Sequence, residues 1–327
     1  MMQSKEETRP LVSFIVTCYN LPVSMLKECL DSILKLNLQP AEREIIVVDD
    51  GSDVPPVGEL TEAYGDSIVY IRQRNEGVSA ARNRGMATAS GTFLQFVDGD
   101  DRLLATAYNH CLDFLRNENT DLLMFDFTSH EESQTTFEDG GPTTGTVFMQ
   151  QHNIHGAVWS YAVRRAIIGN LQFTKGIGYT EDEEFTAHLL LRAEMFRHTS
   201  AKAYFYRKHP GAITQQRSAE SAAQRQNDQL HTLTALQTSI DRLPPPERQA
   251  LQRRIAQLTM DHIYNNIMTF RSSAQLDDCL QQLSAHGLYP LPDRPYTRKY
   301  TWFRRLTASK GGRMLMLRLL PLTKRER

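Results

Sequence analysis

FLQFVDGDDRLL (Phe93–Leu104) sets an apolar run directly against three aspartates, Asp98, Asp100 and Asp101, packed into four positions. Like charges this close repel and raise one another's pKa. A turn explains part of it, with Gly99 supplying unusual backbone angles and Asp101 capping the next helix through its carboxylate. One turn does not need so much negative charge. Asp98 and Asp100, at i and i+2 on a bent strand end, can face one point. A hard divalent cation there relieves their repulsion and leaves coordination positions open for water and a diphosphate. Oxygen ligands suit Mg²⁺ or Mn²⁺, and no matched His/Cys set speaks for zinc.

Upstream, LVSFIVTCY (Leu11–Tyr19) is a continuous apolar, β-branched run, as expected of a strand buried on both faces. Pro22 opens a helical pattern with Leu26, Leu30, Ile33 and Leu34 on one face. EIIVVDD (Glu44–Asp50) and SIVYIRQ (Ser67–Gln73) read as further strands, and GVSAARNRGMATAS as a small-residue helix. The strand TFLQFVD, the helix LLATAYNHCLDFLRNEN and the strand DLLMFDF follow. This alternation predicts an α/β fold with a mostly parallel central sheet and helices on both faces. In such sheets ligands gather at the carboxyl ends of the strands. TCYN, DDGSD and DGDD each lie at such an end, so three polar patches share one rim.

From Glu131 to Gly178 the pattern loosens, with a Gly/Thr-rich loop, EDGGPTTGT, and one strand or helix around AVWSYAVRRAII. Beyond Gln215 long helical patterns take over. One is announced by Pro244, Pro245 and Pro246, and a shorter one stops at Gly287. The reading is a catalytic domain over residues 1–215 and a helical region over 216–327.

The chain has 327 residues, 40% of them hydrophobic and 23% charged, enough for an ample core and two domains. Thirty-seven basic against 38 acidic residues give a formal charge of -1, which argues against coating nucleic acid. The four cysteines, Cys18, Cys29, Cys111 and Cys279, show no CxxC spacing. Neither a zinc cluster nor a disulfide framework is indicated, and reduced thiols in a cytoplasmic protein are expected. The start, MMQSKEETRP, does not read as a secretory signal, and no run approaches the roughly 18 apolar residues of a membrane span.

Two more patches carry chemistry. Asp49 and Asp50, before Gly51 and Ser52, can accept hydrogen bonds from a nucleobase imide or a ribose hydroxyl; local turn bonds are the alternative. In NEGVSAARNRG (Asn75–Gly85), Gly77 turns the chain into a helix whose free N–H groups favour anions. Arg82 can add a bidentate phosphate contact; a solvated surface arginine is the alternative.

VSFIVTCYN, EIIVVDDGSD, NEGVSAARNRG, LQFVDGDD and the later GYTEDEEF stand in the order and approximate spacing of family 2 glycosyltransferases, which the chain resembles over about residues 10–215. The resemblance implies a GT-A fold and inverting transfer of a sugar from a nucleotide-activated donor with a divalent metal. It sets Thr17 and Tyr19, with Asn20, beside the donor base, and Asp50 as base-contacting acid next to Asp49. Asn75, Gly77 and Arg82 join the donor site. Asp98 and Asp100 match the metal–diphosphate motif, and Asp182 the catalytic base. Glu181 binds an acceptor hydroxyl or orients Asp182. Trp159 is a stacking platform for an acceptor sugar, or core. YRKHPGAIT (Tyr206–Thr214) lies where relatives carry a basic loop over the diphosphate, with His209 its first candidate ahead of Arg207 and Lys208. Gly99, where many relatives have serine or another small residue, is a departure that leaves the acids intact.

Relatives with this layout imply an acceptor in bacterial surface polysaccharide or lipid-linked glycan assembly. Two other readings stand beside this one. A catalytically silent nucleotide-sugar-binding scaffold should have lost one of the acids, and none is missing. A nucleotidyltransferase should carry a Gly-rich basic loop after the first strand, and TCYNLPVSM has neither feature. The tail from Arg298 to Arg327 holds ten Lys/Arg and one acid, Glu326, interleaved with Met314, Leu315, Leu317, Leu319 and Leu320. It suits peripheral contact with an anionic membrane at the inner face, or else a C-terminal helix packed on its own fold.

Overall fold

The computed structural model describes residues 9–130, 134–209 and 218–322. Two compact units divide the chain: Met1–Gly145 with His155–Ala212, and Thr146–Ile154 with Ile213–Arg327. The boundary expected near residue 216 lies outside the described residues. That Thr146–Ile154 belongs to the second unit has no counterpart in the sequence reading.

The first unit is built on a nine-stranded sheet. Its first half comprises β1 (Val12–Cys18), β2 (Arg43–Asp49), β3 (Val69–Arg72) and β4 (Phe93–Asp98), in the order β3-β2-β1-β4, all parallel. β1 is buried at every residue because it lies between two neighbours with helices on the faces, as its unbroken apolar run requires. β3 is the sheet edge and only half-buried, which its short, mixed sequence allows. The helices α1 (Val23–Leu34), α2 (Val57–Tyr64) and α3 (Val78–Thr88) connect these strands, and α4 (Ala105–Asn117) follows them. α3 is small-residue-rich because it packs closely: a Cβ on Gly85 would lie 2.3 Å from Ile15 Cγ2.

The second half is mixed. β5 (Arg102–Leu103), β6 (Leu122–Thr128), β7 (Asp139–Thr143), β8 (Tyr161–Arg164) and β9 (Phe196–Phe205) continue the sheet. β8 runs antiparallel to both β4 and β6, β6 pairs β9 in parallel, and β5 and β7 flank β9 in antiparallel. AVWSYAVRRAII resolves into both expected forms, strand β8 followed by the one-turn helix α6 (Arg165–Ile168), after α5 (Gly145–Gln151). Helix α7 (Glu181–Arg192) then leads into β9, which has no clean two-residue alternation along its full length.

The second unit contains α8 (Ala219–Ser239), α9 (Pro245–Phe270), α10 (Ser273–Ala285), α11 (Arg298–Thr307) and α12 (Lys310–Leu319). Four of these start on hydroxyl caps: Ser218, Ser272, Thr297 and Ser309 each accept from the backbone N–H three residues on. α9 starts instead on Pro244, with further prolines in its first turn, and Gly287 adopts φ +69° just beyond α10. Thr146–Ile154 joins this unit through α9, where Arg253 Nη1 donates to the Gln150 carbonyl at 2.7 Å and Arg254 Nη1 to that of Ile154 at 3.0 Å.

His262, buried on α9, has its pKa pushed down to about 4 by desolvation. The unfolded chain protonates this residue near pH 6.5, the folded one resists until about 4, so its stabilising contribution is complete above 6.5 and is lost as pH falls between these values. Urea unfolding followed by helical circular dichroism should show His262→Gln losing roughly 2–3 kcal/mol less than the parent between neutral pH and about 4.5. Equal losses in the two proteins would refute this.

Candidate functional site

Register brings the polar strand ends together. Thr17 lies opposite Asp98 across β1 and β4, and Cys18 opposite Asp49 across β1 and β2. Asp49 is fully buried; Oδ1 accepts from Ser52 N at 2.9 Å, Oδ2 from the Tyr70 hydroxyl at 2.6 Å, with Arg72 Nε at 3.5 Å. Asp50 accepts from Gln73 Nε2 at 2.7 Å and from the backbone N–H groups of Glu76 and Gly77 at 3.0 and 2.8 Å. The two acids thus stitch the β2 turn to the segment leading into α3. Gly77 caps that helix at φ +87°, a backbone shape that favours glycine.

Asn20 sits at φ +49° and clasps the β2 turn, donating its N–H to Ser52 Oγ and exchanging two side-chain bonds with Asp53. Thr17 is buried, whereas Tyr19 is 47% exposed and Asn75 is exposed. The rim therefore offers Tyr19 and Asn75 to solvent around a rigid, internally bonded floor.

At the β4 end the organising group is Arg82 on α3, buried to 3% exposure. Its Nη2 lies 3.0 Å from Asp98 Oδ1, and its Nη1 lies 2.8 Å from Glu181 Oε1 and 2.5 Å from Asp182 Oδ1. Arg82 is therefore a clamp among carboxylates rather than an open phosphate ligand. Asp182 also accepts from Val158 N at 3.1 Å. Glu181 and Asp182 open α7, where all four residues Glu181–Glu184 fall in the first turn and favour the helix dipole.

Burial raises the pKa of Asp182 well above the carboxylate range; Arg82 opposes this, and Glu181 and Asp98 add to it. Asp98 is raised for the same first reason, with Arg82 opposing and Asp100 adding. Asp101 is pushed up to about 8 by burial, then by Asp98 and Asp100.

Asp101 does not cap α4 as expected. The two-residue strand β5 intervenes, α4 starts after Leu104 without a side-chain cap, and the Asp101 carboxylate turns inward. There it accepts from the Tyr204 hydroxyl at 2.8 Å and from Arg207 N at 2.7 Å. The Tyr204 oxygen in turn accepts from Asp98 N at 3.1 Å. Asp100 faces the other way, its Oδ2 2.8 Å from His209 Nε2, while Arg207 Nε donates to the Asp100 carbonyl. Tyr204 has a role that no motif announces, because it lies on β9, whose mixed polar and apolar pattern hides the strand.

Trp159 is 8% exposed and stacks on Tyr204 at 4.3 Å and Tyr206 at 6.0 Å, with Phe127 edge-on at 5.0 Å. It packs as core. Among the described residues, no three His, Cys, Asp or Glu side chains converge as a ready-made metal centre. Asp98 and Asp100 nevertheless suit a hard cation, since both offer carboxylate oxygens at one strand end, where Asp100 adds to the burial that disfavours the charged form of Asp98. Such a cation would take its remaining oxygens from a bound ligand and water.

A parallel half-sheet with acids along its carboxyl rim, extended by a mixed half, is the architecture of a GT-A-type fold. Residues 13–171 match the model of glycosyl transferase family 2, the family that the sequence motifs resemble. The uncharacterized glycosyltransferase EpsJ of Bacillus subtilis is 31% identical over 222 residues, which cover 63% of this chain and 63% of EpsJ. The chain thus spans under two thirds of that relative's length. Among solved structures, S. aureus TarS superposes with TM-score 0.67 at 18% identity, over 95% of this chain and 53% of that one. The mannosyltransferase PcManGT from Pyrobaculum calidifontis, solved with GDP-Man and Mn²⁺, gives TM-score 0.57 at 16% identity, over 97% and 88%. These two likenesses establish the fold.

Tyr204→Phe should remove the partner of both Asp101 Oδ2 and Asp98 N. Urea unfolding is expected to show a loss of about 1–3 kcal/mol, the usual consequence of orphaning buried polar groups. A change within error would mean that the hydroxyl does not organise the acids.

Proposed function

We propose that this chain is an inverting glycosyltransferase that moves a sugar from a nucleoside-diphosphate donor to an acceptor hydroxyl. The observation that carries the reading is that one buried guanidinium, Arg82, joins Asp98 of the metal-type motif to Asp182 at the start of α7. The two chemical requirements of the reaction, holding the leaving diphosphate and removing the acceptor's proton, are thereby set side by side.

The donor base lies against Thr17, Tyr19 and Asn20, with Asp49, Asp50, Asn75 and Gly77 shaping that pocket. Asp50 reaches a base only indirectly while its carboxylate holds the α3 amides, so its part is to fix the loop. Asp98 and Asp100 would hold Mn²⁺ or Mg²⁺, which as a Lewis acid neutralises charge on the departing diphosphate. His209, beside Asp100, adds a donor at the same oxygens. Asp182 takes the proton of the attacking hydroxyl on the face opposite the leaving group. Burial, with Glu181 and Asp98 beside it, raises its pKa and so strengthens its hold on a transferred proton. Arg82 and the Val158 amide fix its orientation, and Glu181 helps to position Asp182 and the acceptor.

No separate nucleophilic carboxylate is needed, which favours inversion over a two-step route. The family 2 match weighs against a nucleotidyltransferase, and the intact acids weigh against a silent scaffold. We place the acceptor in surface polysaccharide or lipid-linked glycan assembly, and the work at the cytoplasmic face of a membrane.

Asp182→Asn is expected to keep Mn²⁺-dependent binding of nucleoside diphosphates while slowing transfer about 10²–10⁴-fold, as loss of a general base does. Calorimetric titration with UDP and GDP and a diphosphate-release assay with acceptor present separate the two effects. Transfer at the parent rate would dismiss Asp182 as base. Asp98→Ala should instead weaken the metal-dependent nucleotide binding itself, by roughly tenfold or more. Unchanged titration curves would remove the metal assignment.

A further inference from the structure

We propose that the solvent faces of α11 and α12 form a membrane-docking surface for anionic lipid. The lipid-linked acceptor named above gives the contact its purpose, but the contact rests on separate observations. Residues 298–322 contain seven Lys/Arg and no Asp or Glu. Two of these serve the fold: Arg304 pairs with Asp293, and Arg313 lies 3.7 Å from Asp277. Arg298, Arg305, Lys310 and Arg318 are exposed.

Large apolar side chains share that exposure. Trp302 is 66% exposed, Leu315 47%, Leu319 50% and Leu322 76%. With Met314 they make five of the ten exposed large hydrophobic residues among the described residues, although residues 298–322 are a small part of these. Their spacing organises them. On α11, Arg298, Trp302 and Arg305 stand at i, i+4 and i+7, and so share a face. On α12, Leu315 and Leu319 form one row, continued by Leu322, beside a second row of Lys310, Met314 and Arg318. The inward faces are separate, with Tyr300, Phe303, Thr307 and Met316 buried. Each helix therefore has a packed side and a side on which apolar and cationic groups alternate.

Charge selects the occupant. A second copy would bring like charges together, and a purely ionic polymer would leave Leu315, Leu319, Leu322 and Trp302 in water. An anionic bilayer interface takes both, accepting Trp and Leu at the acyl boundary and Lys/Arg at the headgroups. No described helix is long and apolar enough to cross a membrane, so the contact is peripheral.

The chain's two tryptophans make the test specific, because Trp159 is buried and a lipid-induced blue shift reports Trp302. The full chain should float with phosphatidylglycerol/phosphatidylcholine vesicles and show that shift, should do neither with phosphatidylcholine alone, and should be released by high salt. Leu315→Glu with Leu319→Glu is expected to reduce partitioning by on the order of tenfold or more. Arg318→Glu provides a second variant at an exposed site, and circular dichroism checks folding of both. Absence of flotation and shift with the anionic vesicles overturns the proposal. So does a blue shift that follows protein concentration without lipid, which assigns the face to self-association. Neither readout needs donor or acceptor, so failure here leaves the Asp182 chemistry standing, and failure of that chemistry leaves this surface standing.

Discussion

A single buried cation holds the acidic rim together. Arg82 is surrounded by Asp98, Glu181 and Asp182, from a strand end and a helix start about a hundred residues away in sequence. A guanidinium withdrawn from water is tolerated only with close, well-directed carboxylate partners. The reverse also holds, since three carboxylates at one place need a cation. One positive charge does not balance them: burial raises the pKa of Asp98 and Asp182, Arg82 opposes it, and the neighbouring carboxylates add to the rise. In the proposed transfer that imbalance would serve twice, toward a divalent cation and toward the acceptor's proton.

Around that centre the fold spends its remaining polar groups on rigidity. Asp49, Asp50 and Asn20 are bonded within the β1 and β2 turns and the approach to α3, so this part of the rim is held by its own hydrogen bonds. Tyr204 performs the matching task on the other flank, binding Asp101 with its proton and Asp98 N with its oxygen. Such preorganisation fits a reaction whose catalysis is mainly positioning and charge stabilisation.

Much of this was legible in the sequence. The buried runs of β1, β2 and β4 and the helix-forming patterns between them announced the parallel half-sheet, and the acids behind those runs announced its functional rim. The GT-A-type fold and the family followed from five ordered motifs. The mixed half was less readable. β9 carries Arg197, His198, Thr199, Ser200 and Lys202 among its apolar residues, because its neighbours β5, β6 and β7 leave some positions open to solvent, and the two-residue signal is lost. β5 has only two residues, too few for any pattern, yet it displaced Asp101 from the helix start to the interior. Asp50 and Trp159 look like ligand-facing residues by type, but backbone amides occupy the first and aromatic rings cover the second.

By itself the sequence determined what could be decided locally: which segments are buried strands, where helices start and stop, and which acids stand at strand ends. Periodicity and capping are short-range properties, so they survive in one dimension. Only the tertiary structure decided which charge answers which, since Arg82 meets Asp182 across a separation of 100 residues, and His209 meets Asp100 across 109. Electrostatic partnership depends on distance in space and on exclusion of water, and neither is written in the order of residues.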